Sequence, residues 1–263
     1  MNLKELQRHW MRFGQRDPFW AILSLPDKKG GKWAPDDFFQ TGKDDILRFF
    51  EYLGGLGARI PKRHALDFGC GVGRLTQALA EIVEEASGVD ISPSMIRLAR
   101  QYNRFGDRCR YYLNERDDLS IFGDDSFDLV FSLITLQHIP PRFVRRYLVE
   151  FMRVLAPGGI LYFQLPSRYL GPPQVLPGSG KDERMGVGEQ LRKVIKRVTP
   201  QSVQGLYRTA RDWNQEPVME MYGIERLEVE RLLEDHGAII LNVVETQHTT
   251  SIWESLCYCV TRT

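Results

Sequence analysis

Hydrophobic residues recur along this chain at two different spacings. From residue 64 onward, short apolar runs alternate with stretches in which apolar residues return every three or four positions. The first spacing is typical of buried strands and the second of amphipathic helices. Because helical stretches separate the apolar runs, we expect a parallel sheet with helices on both faces. The predicted strands cover residues 64–68, 86–89, 110–113, 127–132 and 160–164.

The predicted helices between these strands have recognisable beginnings and ends. Apolar positions predict one helix over residues 74–84. Ser92 and Pro93 begin the next helix in the favoured order, with serine as N-cap and proline in the first turn. A third helix is predicted over residues 142–155, and a Pro-Gly-Gly turn leads from it into the fifth strand.

Two regions interrupt this alternation. Residues 1–59 predict a short helix at the N-terminus and a second helix over 42–56, and we interpret them as a helical extension. Residues 166–222 contain a Pro/Gly-rich run and two amphipathic patterns, which predict a helical insertion after strand 5. Since both its ends emerge at the carboxyl edge of the sheet, we expect this insertion to act as a lid and to determine the substrate.

The core is predicted to comprise residues 60–165 and 223–263. The second of these segments predicts a helix followed by two strands, at 238–245 and 253–261.

Composition and charge narrow the class of protein. The chain has 263 residues, of which 43% are hydrophobic and 26% are charged, and its formal net charge is +1. This charge gives no electrostatic reason to expect a nucleic acid or an anionic membrane as partner. The N-terminus lacks the apolar core of a signal peptide, and no apolar stretch is long enough to span a bilayer. We therefore expect a cytoplasmic protein, and the spacing of its four cysteines predicts no metal site.

A glycine-rich loop, DFGCGVG at residues 67–73, follows the first predicted strand. Glycines are needed where a loop turns sharply and a ligand approaches the backbone. The spacing differs from the GxGxxG of nicotinamide and flavin sites, because Arg74 stands where that fingerprint has its last glycine. Asp90 closes the second strand, where a carboxylate can accept the hydroxyls of a ribose. This residue indicates an adenosine cofactor, either NAD or S-adenosylmethionine.

Several segments together resemble the class I S-adenosylmethionine-dependent methyltransferases. They follow the order of that family's motifs over about a hundred residues: ALDFGCGVGRLTQALA (65–80), GVDIS (88–92), NERDDL (114–119), FDLVFSLITLQHIP (127–140) and RVLAPGGILYF (153–163). The resemblance implies a doubly wound, seven-stranded, mostly parallel sheet whose last two strands form an antiparallel hairpin at one edge. It also implies S-adenosylmethionine as cofactor, with residues 1–59 capping its site. Trp33, Phe38 and Phe39 are candidates for closing over the cofactor or for packing onto the core.

The resemblance also assigns residues to the cofactor. Asp67 would lie near the amino group of the methionine portion, with loop glycines beneath it. Asp90 would bind the ribose, and Glu115 with the Arg116 amide would lie beside the adenine. The full set that we expect to bind the cofactor is Asp67, Gly69, Cys70, Gly71, Gly73, Asp90, Ile91, Glu115, Arg116 and Ser132.

Methyl transfer from a sulfonium requires mainly that the protein align the acceptor and exclude water. A general base helps when the acceptor is a hydroxyl, and His138 is our candidate because it follows the fourth strand. A purely structural role for this histidine is the alternative interpretation. Glu220, Tyr222 and His248 are further candidates. Residues 132–135 read SLIT, which lacks the Asn/Asp-Pro-Pro-aromatic motif of many nucleic-acid amino-group methyltransferases.

We therefore expect a metal-independent S-adenosylmethionine-dependent methyltransferase that acts on an O or N atom of a small molecule. Two alternatives stay open, namely an RNA or protein methyltransferase and a catalytically silent S-adenosylmethionine-binding regulatory module. The basic helix predicted at 189–198 indicates either a solvated face or attraction to an acidic acceptor. No pattern in the sequence indicates an oligomeric state.

Overall fold

The computed structural model describes residues 1–171, 216–246 and 252–262. The strands are β1 (His64–Phe68), β2 (Glu85–Asp90), β3 (Cys109–Leu113), β4 (Phe127–Ser132), β5 (Leu155–Tyr169), β6 (Ala238–Glu245) and β7 (Trp253–Arg262). The helices are α1 (Leu3–Arg16), α2 (Pro18–Ile22), α3 (Pro35–Gly55), α4 (Arg74–Ala80), α5 (Pro93–Tyr102), α6 (Pro141–Val154) and α7 (Arg226–Glu234). The predicted lid helices, the basic stretch at 189–198 and His248 lie outside the described residues.

The strands form one sheet in the order β3-β2-β1-β4-β5-β7-β6. Strands β1 to β5 pair in parallel, whereas β7 pairs antiparallel with both β5 and β6. The predicted fold class, including the antiparallel hairpin at one edge, is confirmed. Strand order reverses between β1 and β4, and ligands of open α/β sheets bind beyond the carboxyl ends of the strands at such a switch point.

Three elements differ in length from the sequence prediction. Helix α3 begins at Pro35 instead of residue 42, because proline and two aspartates form a favourable first turn. Strand β5 continues to Tyr169, since its carboxyl half pairs with β7. Helix α4 ends at Ala80, and the chain then turns directly into β2.

Helices α3 and α4 approach each other closely at Gly42. A Cβ atom on Gly42 would lie 2.3 Å from the backbone oxygen of Arg74, so the packing requires glycine here. The Arg74 guanidinium meets the Asp45 carboxylate at 2.5 Å and the Thr41 hydroxyl at 3.1 Å. With 3% of the Arg74 side chain and 11% of Asp45 exposed, this is a buried ion pair. This pairing of charges explains how an arginine can be buried directly after the glycine loop.

The aromatic residues of the N-terminal extension form their own cluster. Phe19 stacks on Phe38 with ring centroids 4.4 Å apart, and Trp33 and Phe39 meet Phe38 edge-on. Trp33, Phe38 and Phe39 are all buried, so they pack onto the core. Within the described parts of the chain, no helix has the length and apolar character needed to cross a membrane.

Candidate cofactor and acceptor cavity

A cavity opens at the switch point, beyond the carboxyl ends of β1, β2 and β4. Including its open mouth, it encloses about 860 Å³. One wall is the glycine loop at 69–71, and a second is formed by Asp90 and Ile91 at the end of β2. A third wall is the segment 133–135, which follows β4. The cavity therefore has the position that the fold predicts for a ligand.

The loop glycines have conformations and neighbours that exclude side chains. Gly69, Gly71 and Gly73 have φ values of 77°, 54° and 86°, in the left-handed region that favours glycine. A Cβ atom on Gly69 would lie 2.0 Å from the Thr135 methyl carbon, and one on Gly73 would lie 2.4 Å from the Tyr111 hydroxyl. The loop thus packs between the side chains of Thr135 and Tyr111, and its residues 69–71 line the cavity.

Asp90 holds the glycine loop against the end of β2. Its two carboxylate oxygens accept hydrogen bonds from the backbone N–H of Gly71 at 2.9 Å and of Ser92 at 2.8 Å. Burial raises the pKa of the Asp90 carboxyl to about 6, although the hydrogen bonds from these two donors lower it. The side chain also lines the cavity, where its remaining lone pairs can accept the hydroxyl groups of a ligand.

Asp67 lies behind the loop, and only 1% of it is exposed. One carboxylate oxygen accepts a hydrogen bond of 2.6 Å from the Thr76 hydroxyl, and the other has no partner among the described residues. Burial raises the pKa of this carboxyl to about 6. An unpartnered carboxylate oxygen so well buried is costly, and a cationic ligand group or a bound water would satisfy it.

The segment 114–116, expected beside the adenine, contributes one residue to the cavity wall. Asn114 lines the cavity, whereas Glu115 and Arg116 do not. The Glu115 carboxylate instead accepts a hydrogen bond of 2.6 Å from Gln7 of α1, and the Arg116 amide donates to the Asn114 side chain at 3.2 Å. Sequence reasoning missed Asn114, although it is the first residue of the motif NERDDL that marked this position.

Of the other residues predicted to bind the cofactor, some line the cavity and others are buried behind its walls. Cys70 and Ile91 line the cavity. Ser132 is fully buried, and its hydroxyl donates to the Phe68 carbonyl at 3.0 Å, which ties β4 to β1.

The N-terminal helices, which belong to the segment expected to cap the cofactor site, supply a further wall of the cavity. Leu6 and Trp10 of α1 and Ile22 at the end of α2 line the cavity. Ile22 also covers the loop, because its terminal methyl lies 2.6 Å from where a Cβ on Gly71 would stand. The helical spacing of Leu6 and Trp10 indicated an apolar face, but neither residue was among those predicted to line the site.

His138 lies beside the cavity without lining it. Its side chain is buried, and its ring packs against Trp10 with centroids 5.3 Å apart. Nδ1 lies 2.8 Å from the Glu220 carbonyl, and Nε2 lies 3.0 Å from the side-chain nitrogen of Gln137. Burial lowers the pKa of this imidazole to about 4. Its role as a general base stays a prediction, and the same holds for Glu220, whose carboxylate accepts from the Tyr222 hydroxyl.

The chain is similar to known methyltransferases. Residues 66–163 match the family model described as a methyltransferase domain. The chain is 30% identical over 153 residues to 2-methyl-6-phytyl-1,4-hydroquinone methyltransferase of Synechocystis, covering 58% of this chain and 47% of that protein. It is 33% identical over 115 residues to demethylmenaquinone methyltransferase of Tropheryma whipplei, covering 41% and 44%. The chain therefore spans about half the length of the curated relatives that it matches.

A solved structure shares the fold of this chain. Magnesium protoporphyrin IX methyltransferase from Synechocystis, crystallised with bound SAH, superposes with a TM-score of 0.59 at 18% identity. The superposition covers 99% of both chains. At this identity the likeness concerns the fold alone, and the glycine loop with Asp90 carries the argument for a ligand.

Proposed function

We propose that this chain, whose residues 66–163 form a class I S-adenosylmethionine-dependent methyltransferase domain, is an enzyme that methylates a small molecule. The observation that carries the proposal is the junction of the glycine loop with Asp90 on one cavity. There the Gly71 backbone N–H donates to the Asp90 carboxylate at 2.9 Å. A glycine-rich loop and a carboxylate at the strand end together suit an adenosine ligand with a charged tail.

The residues present fit S-adenosylmethionine. Asp90 would accept the ribose hydroxyls, and the backbone of Gly69 and Gly71 would lie against the methionine portion. The unpartnered oxygen of Asp67 supports a cationic group near the loop, because it has no donor among the described residues. When bound, S-adenosylmethionine supplies an activated methyl group on a sulfonium. Asn114 joins Glu115 and Arg116 as a candidate for the adenine side.

The other walls would bind the acceptor and exclude water. Leu6, Trp10, Leu133 and Ile139 make this part of the cavity apolar. Such a wall favours an acceptor with an apolar body that presents one O or N atom, held in line with the methyl group. Quinone-type molecules in the names of the curated relatives have this character. The insertion 166–222 stays our candidate for a lid over this space.

An acidic acceptor has less support from the described walls. Arg74 is among the residues that line the cavity, but its guanidinium is buried and already pairs with the Asp45 carboxylate at 2.5 Å. The basic stretch on which that expectation rests lies outside the described residues. The predicted cytoplasmic location stays a prediction.

The experiment measures binding and turnover separately. Titration calorimetry with S-adenosylmethionine and S-adenosylhomocysteine tests the cofactor, and we expect both to bind at one site per chain. Formation of S-adenosylhomocysteine is then followed with a panel of hydroquinones, phenols and aromatic amines, and we expect turnover with an apolar member.

Each competing function has its own result in the same experiment. Binding without turnover on any acceptor would favour the silent regulatory module. Turnover on cell extract that ribonuclease or protease abolishes would favour a macromolecular acceptor. Failure to bind either S-adenosyl compound would contradict the proposal.

A further inference from the structure

The wall that follows β4 contains a backbone conformation that its residue disfavours. Ile134 has a φ of 57°, in the left-handed region that β-branched residues rarely adopt. Its side chain is half-buried and lines the cavity. Conformations of this kind persist only where the surrounding structure holds them, and they are concentrated at functional sites.

A buried glutamine of β5 holds this conformation. The Ile134 backbone N–H donates a hydrogen bond of 3.0 Å to the side-chain oxygen of Gln164. Gln164 is fully buried. Its side-chain nitrogen donates to the Ser255 hydroxyl at 2.6 Å and to the Gln137 side-chain oxygen at 3.2 Å. Both of its N–H donors and its carbonyl oxygen therefore have specific partners, and the amide cannot turn without losing them.

The direction of this hydrogen-bond chain is fixed at its far end. The Glu220 carbonyl can only accept, so Nδ1 of His138 carries the hydrogen and Nε2 must accept from the Gln137 side-chain nitrogen. Gln137 then turns its oxygen toward Gln164, whose own oxygen is left to face the Ile134 N–H. Burial lowers the pKa of His138 to about 4, so the neutral imidazole that this direction requires persists at neutral pH.

The hydrogen bonds that hold Ile134 also affect the glycine loop. Thr135, the residue after Ile134, packs so tightly on the loop that a Cβ on Gly69 would lie 2.0 Å from its methyl carbon. The Thr135 hydroxyl also lies between two carbonyl oxygens that can accept its hydrogen, that of Leu133 at 3.1 Å and that of Gly69 at 3.4 Å. A change in the backbone at Ile134 would therefore move both the wall after β4 and the loop opposite.

We propose that Gln164 is a positioning residue, which holds Ile134 in its left-handed conformation and so sets the distance between the wall after β4 and the glycine loop. His138 serves the same end, because its tautomer orients the two glutamine amides. The inference rests on the proposed function in one respect, namely that this cavity takes the S-adenosyl cofactor. It gives His138 a role that needs no contact with the acceptor.

The test is a double-mutant cycle between Gln164→Met and Ile134→Gly. Methionine keeps an unbranched side chain without the amide, and glycine adopts positive φ without support. In the presence of Ile134, we expect Gln164→Met to weaken S-adenosylhomocysteine binding by about 10-fold. This factor corresponds to the free-energy cost of holding a non-glycine residue at positive φ. In the Ile134→Gly background, the same change should weaken binding by less than about 3-fold. Hydrogen exchange at the amide of residue 134 should accelerate when Gln164 is replaced.

A matched control separates this role from general stability. Gln77 is also buried, and its side-chain oxygen accepts from the Arg104 amide at 3.1 Å, away from the cavity wall. Gln77→Met should lower the unfolding temperature and leave binding unchanged. If Gln164→Met fails to fold, Gln164→Leu takes its place in the cycle.

The results separate this inference from the proposed function. An equal loss of affinity in both backgrounds would overturn the positioning role, as would unchanged exchange at residue 134. If the wild-type protein does not bind S-adenosylhomocysteine, the proposed function fails. The exchange measurement then decides the positioning role alone.

Discussion

Two edges of the same cavity are built in opposite ways. At the glycine-loop edge, formed by the ends of β1 and β2, Asp67 and Asp90 are buried carboxyls whose pKa values are raised to about 6. At the β4–β5 edge, Gln164, Gln137 and His138 form a chain of neutral groups that satisfy one another. The first edge can attract a charged ligand, and it responds to pH. The second has a fixed shape and offers no charge.

The difference has a thermodynamic consequence. A carboxyl whose pKa is higher in the folded state stabilises the fold below its unfolded pKa, and this contribution is lost as pH rises through the folded pKa. Asp67 and Asp90 therefore destabilise the fold at neutral pH relative to ordinary carboxyls. Asp90 lines the cavity, and a stability cost of this kind is common at functional sites.

The largest effect is expected where the two edges touch, at Gly69. In Gly69→Ala, the new Cβ would overlap the Thr135 methyl and meet an unfavourable φ of 77°. We expect S-adenosylmethionine to bind at least about 100-fold more weakly in calorimetry, as overpacking and backbone strain combine. Gly57→Ala is the control, since Gly57 has a φ of 68° with open space around it. Equal affinities for the two variants would show that the edges are not in tight contact.

The charged edge alone is tested by Asp90→Ala. Charged hydrogen bonds contribute about 1.5–3 kcal/mol each, so binding of S-adenosylmethionine should weaken by at least about 10-fold. The exposed Asp107, in the turn Gly106–Arg108, gives the matched control Asp107→Ala. An unchanged dissociation constant for Asp90→Ala would remove Asp90 from the site.

The pH dependence distinguishes binding from stability at the same edge. Between pH 7 and pH 5, Asp90 takes up a proton around its pKa of about 6. Since the carboxylate is the binding form, affinity for S-adenosylmethionine should fall by up to about 10-fold over this range. The contribution of the same group to unfolding free energy should rise as pH falls. Asp90→Asn should flatten the binding profile, and a profile as steep as the wild type's would assign the titration to another group.

The smallest effect is expected from Tyr147→Phe. The Tyr147 hydroxyl donates to the Arg116 carbonyl at 2.6 Å and so supports the turn beside Asn114. Loss of one such hydrogen bond costs about 0.5–1.5 kcal/mol, and affinity should fall by less than about 5-fold. Tyr258→Phe is the control, because the buried Tyr258 hydroxyl has no partner within the described ranges. Urea unfolding should show a loss of stability only for Tyr147→Phe.

The glycine-loop edge could be predicted from sequence because its signals are local. The three glycines and Asp90 lie at the ends of two strands that the apolar runs already mark. The β4–β5 edge could not be predicted, since Gln164 and Gln137 meet only through the sheet, and their amide orientations depend on a distant carbonyl. The predicted start of α3 was wrong for a related reason. Gly42 has the appearance of a helix boundary in sequence, whereas in the fold it admits the backbone of Arg74.

The ion pair between Arg74 and Asp45 bears on how this protein can be divided. The family match begins at residue 66, and a recombinant fragment cut there would lack the whole of α3. Loss of α3 would remove Asp45, and it would expose both Arg74 and the apolar surface on which Ile46, Phe49 and Leu53 are buried. Such a fragment contains every residue of the glycine loop and still loses much of a typical domain's stability. The start of the family match is therefore a poor guide to the boundary of the folding unit, and shuffling or truncation of this chain should retain α3.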